Sequence, residues 1–418
     1  MNKYSLYSKI FIIQVIFLLF LPPLGELNTV KGVILYGFYG LLSLIVVINY
    51  VFKEKIKFSK PTYFAIAFFL ICLITGIAGM ISNDTPFSDL IRGILPFSWY
   101  IYIIFLPYLK KFEYDAIIKV ITAVGVIRAV QIIIYYFVYV YGNAGQRVTF
   151  YLVEAISMMT MVATLILVYA FIKSRNIYKK IVYLILSLIT YIAIVLTATK
   201  SMVLAVLVAM IVLIVLMICK DDRSKRNTLT KSCFIICVLL IVTFVGMSNN
   251  DIGNRWKESE NIIKEEIKVD NTKEQEENIK DGSVGPRIIE YKVAISNWKE
   301  SPIIGKGIGF RWKSDEVEYG EPVMFMHNMV VYLLMDTGLL GMVFLVLLII
   351  SIMKVLISLL INKRGIHDYI LSFSVIILAF VYGNFFAIFR NIEFTLMCVF
   401  FVSYLINEYY IDKGKKDA

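Results

Sequence analysis

The sequence predicts an all-α polytopic membrane protein of about twelve transmembrane helices, with one large loop on the outer side. Three observations predict it. Hydrophobic residues make up 59% of the 418, and mean hydropathy is +0.77, far above a soluble globular average. Apolar runs long enough to cross the ~30 Å hydrocarbon core recur along the chain. Charged residues gather between those runs, and only one polar segment is long.

The first run, Ile10–Leu24, is apolar, and no small-residue cleavage site follows it, so it reads as a retained span rather than a signal peptide. The next five are Val33–Phe52, Thr62–Ile81, Phe87–Leu109, Ala116–Tyr139 and Thr149–Ile172. Ile181–Thr197, Met202–Cys219 and Cys233–Met247 complete a first block of nine spans over residues 1–247. The long polar segment then occupies residues 248–337. Gly338–Ile361, Tyr369–Phe389 and Phe394–Tyr410 form a closing block, residues 338–418, with a basic tail.

Loop charge sets the orientation. One set of loops carries Lys53, Lys55, Lys57 and Lys60, then Lys110 and Lys111, then Lys173, Arg175, Lys179 and Lys180. The same set continues with Lys220, Arg223, Lys225, Arg226 and Lys231, then Lys363 and Arg364, then Lys413, Lys415 and Lys416. The short loops of the alternate set are nearly bare, with Lys31, Arg92, Arg147, Lys200 and Arg390 standing almost alone. The positive-inside rule then puts both termini in the cytoplasm and residues 248–326 outside, in a cell membrane. It also accounts for the formal charge of +11, so no nucleic-acid partner is implied. The five cysteines lie in or beside apolar runs, which suggests neither a disulfide framework nor a zinc site.

The polar segment begins with a highly charged stretch, residues 255–281, that reads as a solvated helix or a mobile segment. Chemistry concentrates after it. Pro286 suits a helix first turn, with Ser283 just outside as a cap, and Ile288, Tyr291, Ile295 and Trp298 recur as an apolar stripe. Ser301-Pro302 should end that helix. Arg287, in the first turn beside free backbone N–H groups, reads either as an anion clamp or as an arginine snorkelling to lipid phosphates. Gly305, Gly307 and Gly309 lack the strand and βαβ unit of a dinucleotide site, and read as a loop that lets backbone approach a ligand. His327 is either a proton acceptor or an interfacial residue bonded to a loop carbonyl. Glu318 and Glu321 stand near enough in sequence to orient it, and Asn328 either fixes the turn or orients a sugar. Met329–Met335 reads as a helix lying on the membrane before Gly338 admits the true span. His367 is a loop residue of the inner side.

Among the remaining cations, Lys200 sits in a tight outer turn, TATKS, and Arg147 and Arg390 mark the outer interface. Arg128 falls within an apolar run beside Gln131, where a charge is costly; it binds a lipid phosphate or braces helices. No carboxylate cluster suggests a magnesium ion, and no metal or other cofactor is expected.

The order PR…NW…SPIIGKGIGF…HN…YLLMDTGLLG resembles that of the O-antigen ligases and bacterial surface-polysaccharide polymerases, over the loop and the span after it. The resemblance implies a GT-C-like membrane glycosyltransferase acting on the outer leaflet with a polyprenyl-pyrophosphate-linked oligosaccharide. It implies catalytic roles for His327 as base and Arg287 as pyrophosphate clamp. Lys200, Arg128, Arg147, Asn328, Gly305 and Gly307 are then the candidate substrate contacts. Where the family carries an arginine-bearing turn this sequence has Lys200, which keeps the charge but loses the bidentate fork. Working partners would be the bilayer and the chain-length regulator and flippase of the same pathway. A chain rich in Ile, Lys, Tyr and Asn fits a capsule producer without lipopolysaccharide, which favours polymerase over ligase. A flippase or transporter is the rival from another class; it would show charged or broken spans in paired halves.

Overall fold

In a bilayer every backbone N–H and C=O needs a partner within the protein, so apolar runs bounded by capping residues become helices. The computed structural model describes residues 5–21, 29–53, 59–141, 153–220, 225–248, 285–314, 322–324, 326–361, 368–385 and 391–414. Helix α1 (Leu6–Phe17) starts at Ser5, whose hydroxyl accepts from Ser8 N. Helices α2 (Val30–Lys53) and α3 (Lys60–Ser82) follow, the latter capped by Ser59 with Pro61 in its first turn. Helix α4 (Phe87–Ser98) gives way after Pro96 to 3-10 turns at Trp99–Ile104 and Leu106–Tyr108. Then come α5 (Lys111–Tyr135, lengthened by a π turn at Tyr136–Val140), α6 (Val153–Lys173) and α7 (Ile177–Leu196). Helices α8 (Lys200–Lys220) and α9 (Lys225–Ser248) precede the polar segment, and α10 (Gly285–Glu300) lies within it. Helices α11 (Met329–Ile361), α12 (Asp368–Phe385) and α13 (Ile392–Gly414) close the chain.

The protein is an all-α polytopic membrane protein. Among the described residues ten segments are long and apolar enough to cross a membrane, and two shorter apolar helices, Leu6–Phe17 and Met158–Lys173, match the remaining runs of the sequence. No strand occurs among them; Trp312 and Val323 form a single antiparallel bridge. The closing helix is central: Ile392–Ile411 is 78% buried, against 17% for Val30–Phe52 and for Arg226–Ser248, which lie at the rim.

One end of the bundle gathers cations. Asp368, at the start of α12, accepts from Lys111 Nζ at 3.1 Å, Lys173 Nζ and Tyr169 OH at 2.9 Å, and Tyr404 OH at 3.3 Å. Lys220 lies 5.9 Å from the Tyr369 ring at the same end. Lys231 donates to Ile172 O at 2.8 Å. The opposite end carries α10 and the start of α11.

Arg128 takes the bracing alternative. It is 4% exposed, and it donates to Leu18 O at 3.1 Å and to Gln131 Oε1 at 3.0 Å, tying α5 to the end of α1. Enclosed in this way, Arg128 serves as a brace between helices.

Candidate functional site

The site is built on a helix that is split and repaired. Helix α11 breaks at Gly338, where φ is 61° and ψ is −163°. The break removes the helical bonds that Leu339 N and Leu340 N would make to the carbonyls four residues back, at Met335 and Asp336. All four groups find partners in the turn after α10. Leu339 N donates to Pro302 O at 2.9 Å and Leu340 N to Ile303 O at 3.0 Å, while Lys306 N and Gly307 N donate to Met335 O at 2.8 Å and Asp336 O at 2.9 Å. The SPIIGKG stretch thus acts as a backbone splint for the kinked helix. Met329–Thr337 forms a separate apolar piece before the span proper, as the glycine in the sequence predicts.

The glycines make that fit possible. Gly305 and Gly307 have φ of +72° and +94°; a Cβ on Gly305 would meet Asp336 backbone at 2.5 Å, and one on Gly307 would meet Gly79 Cα and Thr75 O at 2.6 Å. Both are therefore spent on close approach to protein backbone, from α11 and α3. The turn is also fastened to α4, where Arg311 grips the buried Asp89 through Nε at 2.6 Å and Nη2 at 2.9 Å.

Helix α10 runs as expected but turns a different face inward. Ile288 and Tyr291 are exposed, whereas Ile289, Glu290 and Ala294 are buried. The apolar stripe of the sequence is displaced because a carboxylate, Glu290, is drawn inward by a specific partner. That partner is His327. Glu290 Oε2 accepts from His327 N at 2.8 Å, and Glu290 Oε1 lies 2.9 Å from His327 Nδ1. One carboxylate therefore fixes both the main chain and the ring. The pairing assigns the ring proton to Nδ1 and leaves Nε2 as the basic nitrogen. The His327 side chain keeps 27% of its exposure while Glu290 keeps 4%, so the ring has an accessible edge and an enclosed partner.

The next residue of α10 holds the next residue of the pair. Asn328 Nδ2 donates to Tyr291 OH at 2.8 Å and to Asn384 O at 3.2 Å, and its Oδ1 accepts from Val331 N at 3.0 Å. Asn328 is thus the cap of α11 and a clasp to α12, the turn-fixing alternative of the sequence. Arg287 is half-buried, with no hydrogen-bond or ion-pair partner among the described residues. It precedes Glu290 by three positions, so the two lie within a single turn of α10. Helix α10 thus carries both the carboxylate that orients His327 and, one turn before it, the cation.

Lys200 opens α8 after Ala198, whose φ is 54°. The contact of Lys220 with Tyr369 pins the far ends of α8 and α12 together, so Lys200 and Asn384 stand at the same end, that of His327. Arg147, Ser283, Glu318, Glu321, His367 and Arg390 lie outside the described residues. Glu290 is the residue that sequence reasoning missed. Its only signal is its i, i+3 spacing from Arg287, which many surface carboxylates share. Among the described residues no three of His, Cys, Asp and Glu gather as metal ligands.

Fold and site define a polytopic membrane protein with an oriented histidine and a cation at one mouth of its helix bundle. Residues 183–346, from α7 into α11, match the family model described as O-Antigen ligase. The match encloses Lys200, Arg287, Glu290 and His327 and supports an O-antigen ligase/polymerase family, with glycan transfer of that general type. No curated protein matches the chain.

Proposed function

We propose that this protein is a surface-polysaccharide polymerase of the outer leaflet, moving a polyprenyl-pyrophosphate-linked glycan onto a lipid-linked repeat unit. The observation that carries the reading is the His327–Glu290 pair with Arg287 on the same turn of α10. His327 Nε2 takes the proton of the acceptor hydroxyl as its oxygen attacks the anomeric carbon. The bond from that carbon to the pyrophosphate oxygen breaks, and the electron pair leaves with the pyrophosphate. Arg287, with Lys200 at the same mouth, stabilises the charge that develops there. Glu290 holds the ring in the productive tautomer and stabilises the imidazolium. Attack from the face opposite the leaving group inverts the anomeric centre. Because side-chain cations carry the leaving charge, transfer is expected to persist in excess chelator.

The family description favours a second reading, ligation onto a different acceptor. Purified protein supplied only with defined lipid-linked repeat units separates the two. A ladder of lengthening glycans on a gel supports polymerase. No ladder, with transfer restored by a lipid or protein acceptor of another kind, supports ligase. Substrate movement across liposomes without any transfer would defeat both.

A further inference from the structure

At the end of the bundle away from His327, about 24 Å along α12 from Asn384 at 1.5 Å per residue, a cleft of about 370 Å³ opens between α5, α6, α7, α12 and α13. That volume is within the ~300–1,000 Å³ of small-ligand sites, and the transfer reaction uses none of its residues. Its rim is ionic. Asp368 is saturated by two lysines and two tyrosines, so it forms a fixed wall. Across the rim stand Asp115 on α5 and Lys179 on α7. The side chains of both are exposed, and neither has an ion-pair or hydrogen-bond partner among the described residues.

Polarity changes with depth. Ile118 lies about one turn below Asp115, Leu371 about one turn below Asp368, and Ile166 about two turns below Lys173. Tyr169 and Tyr183 stand at that same first-turn level below Lys173 and Lys179, and Tyr404 reaches up to Asp368, the height at which aromatic hydroxyls meet headgroups. A soluble metabolite has no use for that gradient, whereas a lipid with its head at the rim and its first methylenes below matches it. The head must offer both signs of charge. A phosphate fits Lys179 and the outward part of Lys173, but a purely anionic head would also face Asp115.

We propose that this cleft binds one phospholipid whose head carries both a phosphate and an ammonium group, the phosphate on Lys179 and Lys173 and the ammonium on Asp115. The test is native mass spectrometry of the purified full chain with phosphatidylethanolamine or phosphatidylglycerol of identical acyl chains. The wild type should retain phosphatidylethanolamine better, by about fivefold, the scale of one partly screened charge pair. Asp115→Asn should erase the preference, and Asp115→Lys should reverse it in favour of phosphatidylglycerol. Asp115 is exposed, so neither change threatens the fold. Equal retention of the two lipids by the wild type, or an Asp115→Lys protein with the wild-type preference, would overturn the proposal.

Discussion

Glu290 shows how a single buried carboxylate decides what a histidine can do. His327 alone, beside a loop, is a ring with two equivalent choices of proton position. With Glu290 against Nδ1 and against its own backbone N–H, the ring keeps one tautomer and one direction. His327→Ala should therefore lower transfer by roughly 10²–10⁴ without loss of protein from the membrane. His327→Gln should fail as well, because an amide keeps hydrogen bonding but takes no proton. Glu290→Gln is the sharper test. It preserves volume and one acceptor but removes the charge that matches an imidazolium, so kcat should drop on the order of 10²-fold or more while KM for the lipid-linked donor holds. Equal loss in kcat and in folded protein would reduce Glu290 to a structural tether. Arg287→Ala should cost on the order of 10²–10³, with Arg287→Lys recovering part of it, since lysine supplies charge without the fork.

At the level of elements, the polar segment and the break in α11 are one device. The splint 302–307 replaces two helical hydrogen bonds with four loop-to-helix ones, all between 2.8 and 3.0 Å. Gly307→Ala would place a methyl at 2.6 Å from Gly79 Cα in a backbone region that L-residues disfavour, a change expected to cost about 1–3 kcal/mol locally. Because the splint positions the start of α11, and so His327, the variant should lose transfer even where the membrane level of protein persists; limited proteolysis after the 301–309 turn would report the loosened splint. Long spans, the glycine that breaks α11 and the end of α10 were all legible in the sequence, because apolar length, Gly338 and Ser301-Pro302 act locally. The inward face of α10 was not. Periodicity assigns the apolar stripe inward, yet both faces of α10 carry isoleucine, and the choice was made by a bond between residues far apart in sequence. For the same reason Gly305 and Gly307 were legible as a turn but not as packing surfaces for α11 and α3.

Over the whole molecule, two signals of different origin divide the bundle into the same two ends. Loop charge in the sequence assigns one set of loops to the cytoplasm. In the structure Lys111 and Lys173 meet at Asp368, Lys220 lies against the neighbouring Tyr369, and Lys231 reaches the end of α6. The His327 end is the far end of α12, so the site belongs to the side whose short loops are poor in cations. The proposed function, with its donor held by lipid in the outer leaflet, requires that side to be outside. A reporter active only in the cytoplasm and one active only outside, each inserted in turn, should read residues 258–280 as external and Arg223–Arg226 as cytoplasmic. The two positions flank α9, a single span, so the readings must differ if α9 crosses at all. Opposite readings in the expected order fix the site at the outer leaflet. The same readings exchanged would put His327 in the cytoplasm, where the donor pool is on the wrong side for chain growth, and would remove the polymerase reading along with the ligase one. Identical readings would mean that α9, only 17% buried at the rim of the bundle, lies along the membrane instead of through it.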